Sequence, residues 1–214
     1  MNVAINYTID QIVKYTGGKL VKYNPGVSSP TYLSLDSRKI LFPGSTIFFA
    51  LNTAHRNGSE FVEILYQKGV RNFVIADRNI DLNKISDANV IVVSNTTNAL
   101  QSLAINHRNN HSVLADGSRL PVVGITGSNG KTVVKEWLDQ LLENDFNIIR
   151  SPGSYNSKIG VPLSVLNLNS YNTLVIFEAV ISTSGEMISL ERLIRPTIVI
   201  FTNLGQAQDT GLGN

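Results

Sequence analysis

One short stretch of the sequence constrains the fold more than any other. Residues 124–132 read G-I-T-G-S-N-G-K-T, with an apolar run before them and a run of helical periodicity, 133–142, after them. A strand, a glycine-rich turn, a lysine, a hydroxyl residue and a helix in this order are the layout of a phosphate-binding loop. The sequence therefore predicts an α/β fold with a phosphate site at this junction.

The residue types in this stretch suit a polyphosphate ligand. Glycines let backbone N–H groups turn toward phosphate oxygens, and the start of a helix adds further donors. We expect Lys131 to neutralise phosphate charge and the hydroxyl of Thr132 to bind Mg²⁺. The residues expected to contact the nucleotide are Gly127, Ser128, Asn129, Gly130, Lys131, Thr132 and Val133.

The stretch departs from the pattern G-x-x-x-x-G-K-[ST]. That pattern needs glycine at the position of Ile125, whereas the glycines here are Gly124, Gly127 and Gly130. The alternative is a glycine-rich turn that only joins a strand to a helix. The coincidence of three glycines, a lysine and a threonine at one strand-to-helix junction favours the phosphate loop.

Composition and charge narrow the class of protein. The 214 residues are 43% hydrophobic and 16% charged, which favours packed domains over disorder. A net charge of +2 and no basic stripe argue against a nucleic-acid partner. There is no cysteine, so disulfides and thiolate catalysis are excluded. Without a signal-peptide core or an apolar run of ~20 residues, we expect a cytoplasmic protein with no membrane insertion.

The secondary-structure signals divide the chain into two parts. The second part alternates strands and helices, and its runs VVGIT, TLVIFE and TIVIFT are typical of central strands in a parallel sheet. A polar stretch after a helix predicted from residue 96 separates it from the first part. We place the domains at residues 1–112 and 113–214.

Two polar residues, Glu178 and Asn203, each follow an apolar strand of the second part. Because ligands of open α/β sheets bind at the carboxyl ends of strands, we expect Asn203 to face the nucleotide and Glu178 to bind Mg²⁺ beside Thr132. A solvated strand-end carboxylate is the alternative for Glu178, and the phosphate loop favours the metal role. Lys131 and Glu178 are the candidate catalytic residues.

Other polar residues are less specific. Asn156 and Ser157 could face a substrate, with an ordinary polar loop as an equal alternative. His107 and His111 have the spacing of a zinc pair, but no third ligand accompanies them, so a fraying helix end is favoured. Trp137 is expected in the core.

With these motifs in place, the chain resembles the Mur ligases, whose central domain carries T-G-x-N-G-K-T, matched by residues 126–132. Residues 155–163, 177–187 and 202–208 resemble further family segments. D-S-R at 36–38, P-G at 43–44 and F-A-L at 49–51 resemble its UDP-sugar-binding domain. The segments are most similar to those of members that add D-alanyl-D-alanine, in particular the version fused to an alanine racemase.

The resemblance implies a small α/β UDP-sugar-binding domain followed by an ATP-binding central domain with a mostly parallel sheet. It implies ATP and Mg²⁺ as cofactors, and UDP-N-acetylmuramoyl-tripeptide and D-alanyl-D-alanine as substrates. An amide would form through an acyl phosphate, in a cytoplasmic monomer that serves peptidoglycan synthesis. The residues assigned by resemblance to substrate binding are Asp36, Ser37, Arg38, Asn156 and Ser157.

Three features depart from the family pattern. Gln208 stands where the family has a metal-binding histidine, Val180 stands in place of a glycine, and the family's carbamylated lysine and C-terminal domain lie beyond residue 214. We therefore expect a truncated central domain and no ligation by these residues alone. The alternatives are a binding module without catalysis and a related folylpolyglutamate-type amide ligase, against which the D-S-R segment argues.

Overall fold

The computed structural model describes residues 2–53, 56–76, 80–153, 157–179 and 186–203. The chain divides into two compact units, Met1–Leu103 and Ala104–Asn214. This division falls inside a helix, upstream of the polar stretch on which the sequence placed the boundary. The domain limits of 1–112 and 113–214 stay a prediction. Asn156, Val180 and Gln208 lie outside the described residues.

The first unit is built on a mixed sheet. Its strands are β1 (Asn2–Ala4), β2 (Lys19–Lys22), β3 (Tyr32–Ser34), β4 (Thr46–Phe49), the hairpin β5 (Asn52–Thr53) and β6 (Arg56–Asn57), β7 (Asn72–Ile75) and β8 (Asn89–Val92). The sheet has the order β1-β3-β4-β7-β8-β2, with the hairpin separate. Neighbouring pairs among β3, β4, β7 and β8 are parallel, whereas the edge strands β1 and β2 run antiparallel. The sequence did not predict β1.

The helices of the first unit follow the local signals of the sequence. Helix α1 (Ile9–Thr16) starts at a capping box formed by Thr8 and Gln11 and ends at Gly17, whose φ is 65°. The sequence predicts this helix over residues 8–16, with Thr8 as cap, Gln11 three residues on and Gly17-Gly18 as stop, and the structure confirms the cap and the stop. For residues 59–68, the apolar spacing and the following Gly69 predict one helix. The structure instead has a 3₁₀ turn, Gly58–Phe61, followed by α2 (Val62–Gln67). Short 3₁₀ turns also lie at Pro43–Ser45 and Leu82–Ile85, and α3 spans Thr96–Asn110.

The second unit carries a parallel sheet. Its strands are β9 (Val122–Thr126), β10 (Ile148–Arg150), β11 (Leu174–Glu178) and β12 (Ile198–Phe201), and its helices are α4 (Lys131–Leu142), α5 (Gly160–Val165) and α6 (Glu186–Ile194). The order is β10-β11-β9-β12, with every pair parallel. The predicted alternation of strands and helices around a parallel sheet is confirmed.

Helix α4 packs on this sheet through one apolar face. Val134, Leu138 and Leu142 contact a buried cluster of strand residues, namely Val123, Ile125, Leu174 and Ile176. Trp137 lies outside that face and its side chain is 62% exposed, so the expectation that it belongs to the core is wrong. Helical periodicity, rather than aromatic character, decides its position.

Strand β12 also differs from its sequence-based description. Its apolar run is typical of a central strand, yet β12 lies at an edge of the sheet that the described residues form. Ile198, Val199 and Phe201 are all more than half exposed. The apolar pattern therefore identified the strand but not its place in the sheet. None of the helices in the described part of the chain has the length and apolar character needed to span a bilayer.

Candidate nucleotide-binding site

The phosphate-loop stretch forms the predicted strand–turn–helix. Strand β9 is buried between β11 and β12, and the chain turns at Gly127 and Gly130 before α4 begins at Lys131. The φ angles of the two glycines are 130° and 79°, in a region that other residues rarely adopt. Gly130, which the strict pattern requires, and Gly127, which it does not require, thus both match the geometry of this turn.

Gly127 is also required because another segment of the chain lies against it. A Cβ atom at this position would come within 2.2 Å of Thr202 Oγ1 and 3.0 Å of the backbone nitrogen and oxygen of Asn203. Any larger residue would force the loop away from the end of β12. The glycine therefore allows close packing as well as the turn.

The end of β12 supports the loop through hydrogen bonds. The backbone N–H groups of Ser128 and Asn129 donate to the backbone oxygen and side-chain Oδ1 of Asn203, each at 2.9 Å. Thr202 Oγ1 donates to the backbone oxygen of Asn129 at 2.6 Å. Asn203 thus lies at the loop, where the sequence predicted it, and its contacts here are with the loop backbone. Its role toward a nucleotide stays a prediction.

Three residues singled out from the sequence come together beside the loop. Lys131 Nζ donates to the backbone oxygens of Gly127 and Ser128 at 2.5 and 3.3 Å, and the side chain is almost buried. Thr132 Oγ1 donates to Glu178 Oε2 at 3.2 Å. Glu178 forms the end of β11 and is fully buried, so the alternative of a solvated carboxylate is wrong.

The oxygen atoms at this point fit a divalent cation. Mg²⁺ prefers oxygen ligands and usually binds one or two protein groups together with phosphate oxygens. The Thr132 hydroxyl and the Glu178 carboxylate supply two such groups, one from the helix and one from the neighbouring strand. Within the described residues, the buried hydroxyl of Thr126, at the end of β9, has no hydrogen-bond partner. The donor set therefore fits the predicted Mg²⁺.

Sequence reasoning missed Lys135, which is fully buried behind this group. Its Nζ lies 2.9 Å from Glu178 Oε1, at ion-pair distance but without the alignment of a hydrogen bond. It donates to the backbone oxygens of Ser151 and Gly153 at 2.8 and 2.5 Å. The sequence did contain a signal for its position. Lys135 follows Lys131 by four residues, so both lie on one side of α4, next to the apolar face that includes Val134 and Leu138.

The D-S-R turn belongs to the first unit and is bonded within itself. Arg38 Nε and Nη2 donate to the two carboxylate oxygens of Asp36 at 2.9 and 3.0 Å. This hydrogen bonding, with the charge of Asp36, raises the pKa of Arg38. The Arg38 side chain is 77% exposed, whereas Ser37 is buried. Substrate binding by these residues stays a prediction.

Ser157 and the histidine pair have local structural contacts. Ser157 Oγ accepts from the backbone N–H of Gly160 at 3.1 Å, which supports the start of α5. His107 is buried and its Nε2 donates to the backbone oxygen of Leu168 at 2.7 Å, so a fraying helix end is the wrong description. Burial lowers the pKa of His107 to about 4. No cluster of three or more acidic or histidine side chains suited to a metal occurs in the described residues.

A parallel sheet whose strand β9 leads through a glycine loop into a helix beginning Lys-Thr defines the class of phosphate-loop folds. Residues 125–209 match the Mur ligase middle domain. The UDP-N-acetylmuramoyl-tripeptide–D-alanyl-D-alanine ligase of Bacillus subtilis (strain 168) is 31% identical over 213 residues, covering 98% of this chain and 44% of the relative. The enzyme of the same name from Borreliella burgdorferi is 33% identical over 184 residues, 83% of this chain and 38% of the relative.

Solved structures share the fold. MurF from Acinetobacter baumannii superposes with a TM-score of 0.85 at 24% identity, over 98% of this chain and 43% of that protein. The MurF ligase from Thermotoga maritima, solved in complex with ADP, gives a TM-score of 0.69 at 24% identity, over 86% of this chain and 40% of that protein. The chain belongs to the Mur ligase family, and it spans less than half the length of the curated relatives it matches.

Proposed function

We propose that this chain is the UDP-sugar-binding and nucleotide-binding part of an ATP-dependent ligase. The ligase would add D-alanyl-D-alanine to UDP-N-acetylmuramoyl-tripeptide, in the cytoplasm, as a monomer, during peptidoglycan precursor synthesis. The observation that carries the proposal is the meeting of Lys131, Thr132 and Glu178 beside a glycine loop. The relatives from Bacillus and Borreliella are ligases of this kind, and the Thermotoga structure is a complex with ADP.

The chemistry of the site suits attack by a carboxylate on ATP. Both reactants are anions, so the protein must offset their repulsion where they meet. Lys131, held at the loop by the oxygens of Gly127 and Ser128, would offer its ammonium group to the phosphates. Thr132 and Glu178 would hold Mg²⁺, which supplies charge screening and Lewis acidity when bound. The acyl phosphate would form with ADP as the leaving group. The amine of D-alanyl-D-alanine would then attack its carbonyl carbon, displace inorganic phosphate and lose a proton to give the amide.

The remaining site residues are assigned to substrate within this proposal. Asp36, Ser37 and Arg38 would bind the UDP-sugar, with the guanidinium already oriented by Asp36. Asn156 and Ser157, which belong to the second unit, would also contact a substrate. Val133 would contribute its backbone N–H group to the phosphates. Ser128 and Asn129 would contact the nucleotide through other atoms, because their backbone N–H groups donate to Asn203, which holds the loop in position.

The test is a ligation assay on the full-length protein that contains this sequence. Phosphate release should require ATP, UDP-N-acetylmuramoyl-tripeptide and D-alanyl-D-alanine together, and the product should gain a dipeptide by mass spectrometry. Reactions that omit D-alanyl-D-alanine are the control. ATP binding without a dipeptide adduct would instead support a binding module without catalysis, and would contradict the proposed reaction.

A further inference from the structure

Lys135 connects three separate parts of the second unit. From α4, its Nζ reaches Glu178 at the end of β11 and two backbone oxygens in the turn after β10, those of Ser151 and Gly153. The ammonium group donates to the two backbone oxygens at 2.8 and 2.5 Å, and it lies at ion-pair distance from Glu178 Oε1, 2.9 Å, and from Glu136 Oε1, 3.3 Å. A fully buried lysine is costly unless it is paired in this way, so its position is strongly determined.

The two oxygens of Glu178 have different neighbours. Oε1 faces the ammonium of Lys135, whereas Oε2 accepts from the hydroxyl of Thr132. Lys135 therefore holds the carboxylate of Glu178 through Oε1, and Oε2 is directed toward the Thr132 hydroxyl beside the loop. Without Lys135, a buried carboxylate would keep only the Thr132 hydroxyl and the charge of nearby groups to fix its orientation.

We propose that Lys135 is a positioning residue, which orients Glu178 so that its Oε2 and the Thr132 hydroxyl form the cation site. This rests on the proposed function, because it concerns the Mg²⁺ that would accompany ATP. Groups that hold a metal ligand from behind typically change metal affinity by about 10-fold to 100-fold when removed. Lys135 thus acts through Glu178 and does not itself need to touch the nucleotide.

The same lysine steadies the turn on the other side of Glu178. Ser151, whose carbonyl accepts from Lys135, places its Oγ 3.4 Å from the backbone nitrogen of Glu178. Ser151 is fully buried, so this contact lies inside the unit. The carboxylate and the turn are therefore fixed to α4 through one ammonium group. A purely structural role would weaken the whole unit, whereas a positioning role predicts a specific loss of cation dependence.

The experiment measures ATP affinity of the 214-residue chain by titration calorimetry, with magnesium chloride and with EDTA. Lys135→Met should reduce the tightening caused by Mg²⁺ by about 10-fold or more, while affinity in EDTA stays near that of the wild type. In a Glu178→Gln background, Lys135→Met should cause no further loss of cation dependence. Retention of the full Mg²⁺ effect by Lys135→Met would overturn the proposal, as would equal losses with Mg²⁺ and with EDTA.

Lys84→Met is the matched control. Lys84 forms the same type of pair with Glu63, at 3.0 Å, but at the surface of the first unit. Its removal should leave ATP affinity unchanged in both buffers. Should Lys135→Met not fold by circular dichroism, Lys135→Gln decides by the same criteria, since its amide keeps N–H donors for the backbone oxygens. If the wild-type chain bound no ATP in either buffer, the proposed function would fail rather than the role of Lys135.

Discussion

The glycine loop and the D-S-R turn were both identified as functional from their residue types, but they are built differently. The loop takes its hydrogen bonds from Asn203 and Thr202, residues far along the chain. In the turn, the exposed Arg38 side chain bonds to Asp36, two residues away. Changes in the loop should therefore alter folding and binding together, whereas changes in the turn should alter binding alone.

Gly127→Ala gives the largest expected effect on stability. Its Cβ would meet Thr202 Oγ1 at 2.2 Å, and its φ of 130° is unfavourable for alanine. We expect a loss of about 3 kcal/mol in the free energy of unfolding, measured by urea denaturation. Gly130→Ala is the control, because its φ is 79° but no atom lies within 4 Å of the added Cβ. It should lose about 1 kcal/mol, and equal losses at both sites would contradict the described packing.

A second prediction concerns the pH dependence of stability, and it adds the buried His107 to the comparison between the glycine loop and the D-S-R turn. Burial lowers the pKa of His107 from 6.5 to about 4, so the unfolded chain takes up a proton more readily than the folded chain. The contribution of neutral, buried His107 to the free energy of unfolding is complete above 6.5, the pKa of His107 in the unfolded chain. It is lost as the pH falls toward about 4, the pKa in the folded chain. The loss is at most about 3 kcal/mol.

Unfolding in urea between about pH 7.5 and about pH 4.5 measures this loss. His107→Gln removes the titrating group, so its stability should fall less steeply over the same range. An identical pH dependence in the two proteins would show that His107 is not the group responsible.

The turn should show the smallest effect on stability. Arg38→Ala removes an exposed side chain whose partner lies in the same turn, and exposed ion pairs contribute little. The urea midpoint should not move, while the affinity for UDP-N-acetylmuramoyl-tripeptide should fall. A shifted midpoint would break the contrast with the loop, and unchanged affinity would refute the assignment of Arg38 to substrate binding.

Much of the fold could be predicted because its signals are local. The capping box at Thr8, the stop at Gly17 and the strand–loop–helix at residues 122–142 each depend on neighbours in sequence. Glu178 and Asn203 could be placed because parallel strands end at a common edge. These predictions needed only the alternation of elements, without knowledge of side-chain contacts.

The rest was missed because residue type was followed where helical phase or strand order decides the position. By its residue type, Lys135 would be placed at the surface. It is buried because the backbone oxygens of Ser151 and Gly153, 16 and 18 residues further along the chain, accept hydrogen bonds from its ammonium group. The edge position of β12 depends on strand order, which its apolar run does not determine. Trp137 was assigned by residue type, although its place on α4 leaves it exposed. In each case the three-dimensional arrangement decided against the residue's usual preference.

The measurement that tests the central claim most directly is the ATP affinity of Lys131→Met with Mg²⁺ present. If the glycine loop binds phosphate, the wild-type chain should bind ATP, and the variant should bind it about 10-fold to 100-fold more weakly, as expected for loss of a charge-assisted hydrogen bond. Lys84→Met, at an exposed pair of the first unit, should match the wild type. Equal affinity in Lys131→Met and wild type would contradict the assignment of residues 127–133 as a nucleotide site.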